Sequence, residues 1–377
     1  MGYAAGIVFR NEWGTEEVTL FPPKQCCSSF VGYFKRLCGP KKNLYGEDEE
    51  KEEIVKYLYV IPMRKSLFEV VSKWTKIFRR FILMFLIGMS LSVIAHLFDF
   101  TQVRIMGVLQ RIAICYFFVS AMLVLVPWTF VHIVIVLFLQ VIYIAFTFGL
   151  LVPFEGAGEG CGTRGVLSPP HCTAEGYIDR LILSRAHIYF HGSYDPEGFL
   201  STLPAITNAY CGVLAFKLAQ KAGKDAYKRL VFWCLMGAGL ILSGLTIDYA
   251  FLPIGKKLWT TSFSFVTSGI AFVFLSAISF IVDIQQYNKY WTSLFLWIGS
   301  NPLVMYCVPS YIAIIMMKIP VPYNGKTSDL YHAEYSVLFG SWIQPAQLAS
   351  LIHGICYELV FVPLAFLLYW KKIFIKL

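Results

Sequence analysis

The chain has 377 residues, of which 57% are hydrophobic and only 15% charged, with a mean hydropathy of +0.61 and a formal net charge of +9. Soluble globular domains carry about 25% charged residues, so this composition excludes one and points to a bilayer. The basic excess does not mark a nucleic-acid surface, because no stretch interleaves basic and aromatic residues as such a surface requires.

Residues 1–63 read as a flexible cytosolic segment. No apolar run follows a basic start there, so no signal peptide is expected, and Gly2 lacks the Ser or Thr at position 6 that myristoylation needs. Glu47 to Glu53, with Lys51, is a solvated charge cluster, and Tyr57-Leu58-Tyr59-Val60 fits a tyrosine-based sorting pattern that is common by chance.

Residues 64–377 read as one membrane domain. A hydrocarbon core of roughly 30 Å needs about 20 apolar residues to cross it. Eight runs qualify: Phe81 to Phe98, Met106 to Val126, Phe130 to Leu151, Phe199 to Leu218, Leu230 to Ile247, Leu258 to Val282, Trp291 to Met317 and Ile343 to Trp370. Every backbone group must find its partner inside such a segment, so the fold class is all-α, a polytopic integral membrane protein with about eight transmembrane helices. Gly88 with Ser92, and Gly239 with Ser243, are small residues four apart and read as helix contacts.

Basic residues set the orientation. One side of the alternating topology collects Arg64 to Arg80, Lys217 to Arg229, Lys289 and Lys371 to Lys376, while the other holds Arg104, Arg164, Arg180, Arg185, Lys256, Lys257, Lys318 and Lys326. The positive-inside rule therefore predicts both termini in the cytosol and the long polar loop, residues 152–197, in a lumen or outside the cell. Cys161 and Cys172 both lie in that loop, where a disulfide is permitted and two free thiols are the other reading.

The loop also holds most of the ionisable residues able to do chemistry. His187 and His191 stand four apart, on one face of a helical turn, and histidine suits proton removal from an amine in an acidic compartment. They serve equally as bonds that hold the loop. Asp179, Arg180, Asp195 and Glu197 offer hydrogen bonds and charge to a sugar, with a carboxylate for a protonated amine and a guanidinium for a sulfate or uronate. Asp195-Pro196-Glu197-Gly198 is also a helix entry, with Asp195 as N-cap.

Arg104 and Arg111 are seven apart, hence nearly on one helical face, with Arg111 inside an apolar run. A cation there faces a cavity or a partner, as a phosphate or oxyanion clamp or as a structural ion pair. Lys256 and Lys257 suit phosphate contact or interfacial snorkelling, and Trp259 beside them suits an interfacial aromatic belt. Asn208, Asn301 and His353 are polar residues within spans, with helix-bridging as the ordinary use. Glu358 is a mid-span carboxylate with no assigned role. No Gly-rich phosphate loop, His-Glu-x-x-His or Cys-x-x-Cys occurs, so nothing predicts a nucleotide hydrolase or a metal site.

Several ordered motifs resemble those of the heparan-alpha-glucosaminide N-acetyltransferase family. They are Val103-Arg104-Ile105-Met106-Gly107-Val108-Leu109-Gln110-Arg111-Ile112, Gly176-Tyr177-Ile178-Asp179-Arg180, Tyr194-Asp195-Pro196-Glu197-Gly198, Pro253 with Lys257-Leu258-Trp259-Thr260, and Lys371-Lys372-Ile373-Phe374. The resemblance runs from about Arg64 to Leu377. It implies a multi-pass lysosomal membrane enzyme that takes acetyl-CoA as co-substrate, with no bound cofactor. The acetyl acceptor it implies is the terminal glucosamine of heparan sulfate.

By residue chemistry, Arg104, Arg111, Lys256, Lys257, Trp259 and Asn301 are the candidates for the coenzyme side, and Asp179, Arg180, His187, His191, Asp195 and Glu197 those for the sugar. Membrane lipid and a second copy of the chain are further partners to consider, and nucleic acid is not. The family has eleven spans, with its active-site histidine ahead of the matched stretch, beside an Arg-Ser-Val-Asp-Thr-Phe-Arg-Gly segment and a Pro-Trp-Phe span. Met1 to Tyr59 contain neither segment, so the chain reads as a relative lacking the first three helices. Its acetyl-transferring residue is therefore unassigned. An inactive binding or regulatory relative, or a membrane transporter, stands as the alternative.

Overall fold

A computed structural model describes residues 67–375 apart from 154–160, 190, 191, 193, 288, 289 and 324. The expectations for residues 1–63, Lys289 and His191 lie outside the described residues.

In chain order, α1 (Leu67–Ala95), α2 (Val108–Leu125) and α3 (Thr129–Gly149) precede the polar loop, which carries a short helix α4 (Ala174–Leu183). Then come α5 (Phe199–Ala222), α6 (Ala226–Ala250) and α7 (Thr261–Ser279), which ends in a π-helical turn at Phe280–Ile284. Next follow α8 (Tyr290–Ser300), α9 (Pro302–Met316), and an antiparallel hairpin of β1 (Pro320–Tyr323) and β2 (Lys326–Asp329), with Pro320 opposite Asp329. Short α10 (Leu330–Tyr335) leads to α11 (Ala346–Leu359) and α12 (Val362–Trp370), which together make the last span. Among the described residues seven helices are long and apolar enough to cross a bilayer, or eight if the bent pair α8–α9 is one span.

Three departures from the sequence reading have local causes. Helix α1 starts at Leu67 rather than Phe81, because Lys73 and Ile77, four apart, both turn inward and continue the packed face beneath the basic residues. The run Trp291 to Met317 is two helices bent by 80°. Pro302 opens α9 without an N–H and pushes Asn301 out of the helical region, to φ −134° and ψ 58°.

The third departure concerns small residues. Gly88 does sit at a crossing, where a methyl group would run into Gln110 of α2. Gly239, by contrast, faces open space, and its neighbour Ser243 bonds back to the Gly239 carbonyl. The close α6–α7 approach instead uses Gly237 and Gly244 against Gly269 and the backbone of Ser262.

Helix α5 is the centre of the bundle, touching α2, α3, α6 and α7. Its Ile206, Tyr210 and Val213 pack with Val119 and Met122 of α2 and Val136 of α3. That core fixes where the first turns of α2 and α5 meet.

Candidate functional site

Residues 103–107 form no regular structure and lead into α2, which starts at Val108. Arg104 therefore precedes the helix while Arg111 lies in its first turn, so the two do not share a helical face as their spacing suggests. They meet through a common partner, the turn ahead of α5.

That turn is not built as the sequence suggested. Helix α5 begins at Phe199 with Gly198 as N-cap, so Asp195 is no helix cap. Its carboxylate accepts instead from the Glu197 N–H at 2.9 Å, the Tyr189 N–H at 3.0 Å, and Arg104 Nε and Nη2 at 3.0 and 2.5 Å. Arg104 Nη2 also donates to Glu197. Burial opposes the charge on Arg104, but Asp195 and Glu197 outweigh it and hold the guanidinium above its ordinary pKa.

Asp179, on α4, braces the same turn from below. It accepts from the Phe199 N–H at 2.9 Å and the Asp195 N–H at 3.2 Å. Burial pushes its pKa up to about 7 against the pull of those two bonds. The carboxylate lies so close to Gly198 that a methyl group there would overlap it, which is why glycine occupies the position.

Arg111 is 4% exposed. Its Nη2 donates to the Pro196 carbonyl at 2.6 Å and to the Ser201 hydroxyl, while Nε and Nη1 have no partner among the described residues. A buried cation with unused donors is costly, by more than the 1–3 kcal/mol or so of an unpaired neutral group. Its guanidinium carbon lies 5.0 Å from the centre of the Trp259 ring, a cation–π distance.

Trp259 adopts φ +51°, a left-handed conformation that costs a bulky residue about 1–3 kcal/mol. The indole is held there by Arg111, by an edge-on contact with Phe263, and by Nε1–H donating to Asn208 Oδ1 at 3.0 Å. Asn208 is fixed in turn, since its Nδ2 donates to the Ser264 carbonyl at 3.1 Å and the Ser268 hydroxyl at 2.9 Å of α7. It thus bridges helices, as expected, and also orients the site.

These groups enclose a cavity of about 520 Å³, lined on its polar side by Arg111, Glu197, Asn208, Lys256 and Trp259 and on its apolar side by residues that include Val119 and Ala205. Ordinary ligand pockets begin at about 300 Å³. The combination offers an anion the Lys256 ammonium beside the Arg111 guanidinium, and offers a cationic amine the Glu197 carboxylate.

Other sequence candidates lie elsewhere. Lys257 is exposed and off the cavity wall. Asn301 ties the α8–α9 bend to the chain end, donating to the Ile373 carbonyl at 2.9 Å and accepting from the Ile375 N–H at 2.8 Å. Arg180 donates to the His171 carbonyl at 2.9 Å. His187 is also outside the cavity lining, and its Nδ1 donates to the Val103 carbonyl at 2.8 Å, which anchors the loop to the segment before α2. His353 pairs with Glu334 at 3.1 Å, and Glu358 is exposed on α11 beside a separate groove.

Cys161 and Cys172 form a disulfide. With His171 their ligand atoms lie within 4.8 Å of one another, but both sulfurs are engaged in the bond and are not thiolate ligands. Ser201 is the site residue that sequence reasoning missed, and its distance of ninety residues from Arg111 leaves no local signal.

No protein-family model matches the chain. Among curated proteins, the chain is 30% identical to heparan-alpha-glucosaminide N-acetyltransferase of Mus musculus, over 73% of its own length and 45% of that protein's. It is likewise 30% identical to heparan-alpha-glucosaminide N-acetyltransferase of Homo sapiens, over 73% of its length and 44% of the relative's. The chain thus spans less than half the length of the curated relatives it matches.

Proposed function

We propose, from the premise that this chain is a relative of the heparan-alpha-glucosaminide N-acetyltransferases, that its bundle binds acetyl-CoA and a glucosamine terminus and passes the acetyl group between them. The observation that carries the reading is the cavity that the Arg111 guanidinium, the Lys256 ammonium and the Glu197 carboxylate line together.

In this reading the amine nitrogen bonds to the acetyl carbonyl carbon and the carbon–sulfur bond breaks, its electron pair leaving on sulfur. The amine gives up a proton to a base, and the coenzyme thiolate takes one up. Negative charge builds on the carbonyl oxygen, and the Arg111 guanidinium in the cavity wall stabilises it. Glu197 receives the protonated amine before attack, and Lys256 meets a coenzyme phosphate. The base is not assigned among the cavity residues. His187, with Nδ1–H committed to Val103, keeps Nε2 as proton acceptor but stands outside the cavity lining.

The lysosomal membrane, the heparan sulfate acceptor and the cytosolic termini belong to the same proposal. The test is transfer of labelled acetyl from acetyl-CoA to glucosamine by membranes carrying the chain. Transfer is expected, and Arg111→Gln should lower it by about 10²–10³-fold, the usual cost of one oxyanion donor. Glucosamine counterflow without acetylation would overturn the reading in favour of transport.

A further inference from the structure

Asn208 lines the cavity of Arg111 and Lys256, yet its amide has nothing left to offer a ligand. Its two amide hydrogens face three acceptors on α7: the Ser268 hydroxyl at 2.9 Å, the Ser264 carbonyl at 3.1 Å and the Thr267 hydroxyl at 3.2 Å. Its carbonyl oxygen accepts the Trp259 Nε1–H at 3.0 Å and lies 2.8 Å from the Ser264 hydroxyl, which also reaches the Pro204 carbonyl of α5 at 2.9 Å. An asparagine amide has two donor hydrogens and two acceptor lone pairs, so this one is saturated by the protein. Its part in the cavity is to hold a neighbour.

That neighbour is Trp259. At φ +51° a tryptophan stores strain comparable to what one hydrogen bond or one cation–π contact returns, so the conformation draws on both the bond to Asn208 and the Arg111 guanidinium 5.0 Å from the ring centre. Loss of the bond to Asn208 lets the indole relax. Ser201 and Asn208 stand seven apart on α5, two turns, hence on one face of the helix. Ser201 takes Arg111 at Nη2, while Asn208, through the indole, backs the same cation. One face of α5 thus holds the guanidinium from two directions.

We propose that Asn208 is a positioning residue for acetyl transfer: it holds the Trp259 indole, and through it the Arg111 guanidinium, where charge develops on the acetyl oxygen. The proposal rests on the reading of this cavity as the acetyl-transfer site.

The test uses the full chain, with rates of acetyl transfer to glucosamine taken per folded molecule. Asn208→Leu, similar in shape and without polar atoms, should lower kcat by about tenfold and leave the KM for acetyl-CoA within about twofold, because a misplaced transition-state contact costs rate rather than ground-state binding. Trp259→Phe, which keeps a ring and lacks the N–H, should do the same. The double variant should be no slower than either single one, since both remove one interaction, whereas two independent structural losses would multiply. In the chain labelled with fluorotryptophan, the fluorine resonance that Trp259→Phe removes should be a single narrow line, and Asn208→Leu should shift or split it. If Asn208→Leu fails to fold, the kcat of Trp259→Phe decides alone. An unchanged kcat in Trp259→Phe, a double variant whose loss is the product of the single losses, or a fluorine line that Asn208→Leu does not move overturns the proposal. Absence of transfer by the wild type overturns the reading of the cavity and the proposal with it, and a fluorine line that still responds to Asn208→Leu marks that failure as the cavity's.

Discussion

Single residues at the α5 entry fix the geometry of the site. Gly198 is fixed by the Asp179 carboxylate, so Gly198→Ala should destabilise the chain by about 1–3 kcal/mol, as overpacking does. Gly149→Ala, where the added methyl meets nothing, should not shift the thermal midpoint comparably. Asp179 gives a pH dependence whose sign follows from its burial. Its folded pKa, about 7, stands above its ordinary value near 3.8, so the folded state holds this proton while the unfolded chain releases it. Stability from Asp179 is then full below pH 3.8 and declines until about pH 7. Asp179→Asn should flatten that part of the thermal-midpoint profile between pH 4 and 7. An unchanged slope would remove Asp179 as its source. Charged side chains in the loop were legible as candidates, yet their partners were not, because Asp195 and Glu197 meet Arg104, some ninety residues away, only after distant segments pack.

At the scale of elements, hydropathy and run length located the spans because both are local properties of the chain. What they could not supply was which face of each helix packs. Gly239 and Ser243 have the small-residue spacing of a contact, yet the α6–α7 crossing is one turn-phase away, at Gly237 and Gly269. Gly269→Leu should therefore force the hairpin apart and lower the thermal midpoint, whereas Gly239→Leu should leave it near wild type. The reverse order would place the crossing on the other face. The bend at Asn301 and Pro302 has a legible cause in proline, but its angle is set by the bonds from Asn301 to the chain end at Ile373 and Ile375. Asn301→Ala should loosen that anchor and expose the C-terminal residues to protease sooner.

Across the whole molecule, α5 organises a bundle, and at its N-terminal end Arg111, Glu197, Lys256 and Trp259 surround one cavity. A cysteine placed at Lys257 and one placed at Lys371 should react with impermeant maleimide from opposite sides of sealed vesicles, as the basic-residue asymmetry predicts. Reaction from the same side would overturn the assigned topology. The central claim is that the cavity holds the coenzyme, with Lys256 on its phosphate. Equilibrium binding of acetyl-CoA to the purified chain tests it most directly. Wild type should bind, and Lys256→Gln should weaken binding by at least about tenfold, the lower range for loss of a charge-assisted contact. Equal affinity in wild type and Lys256→Gln, or no binding by the folded wild type, would contradict the account.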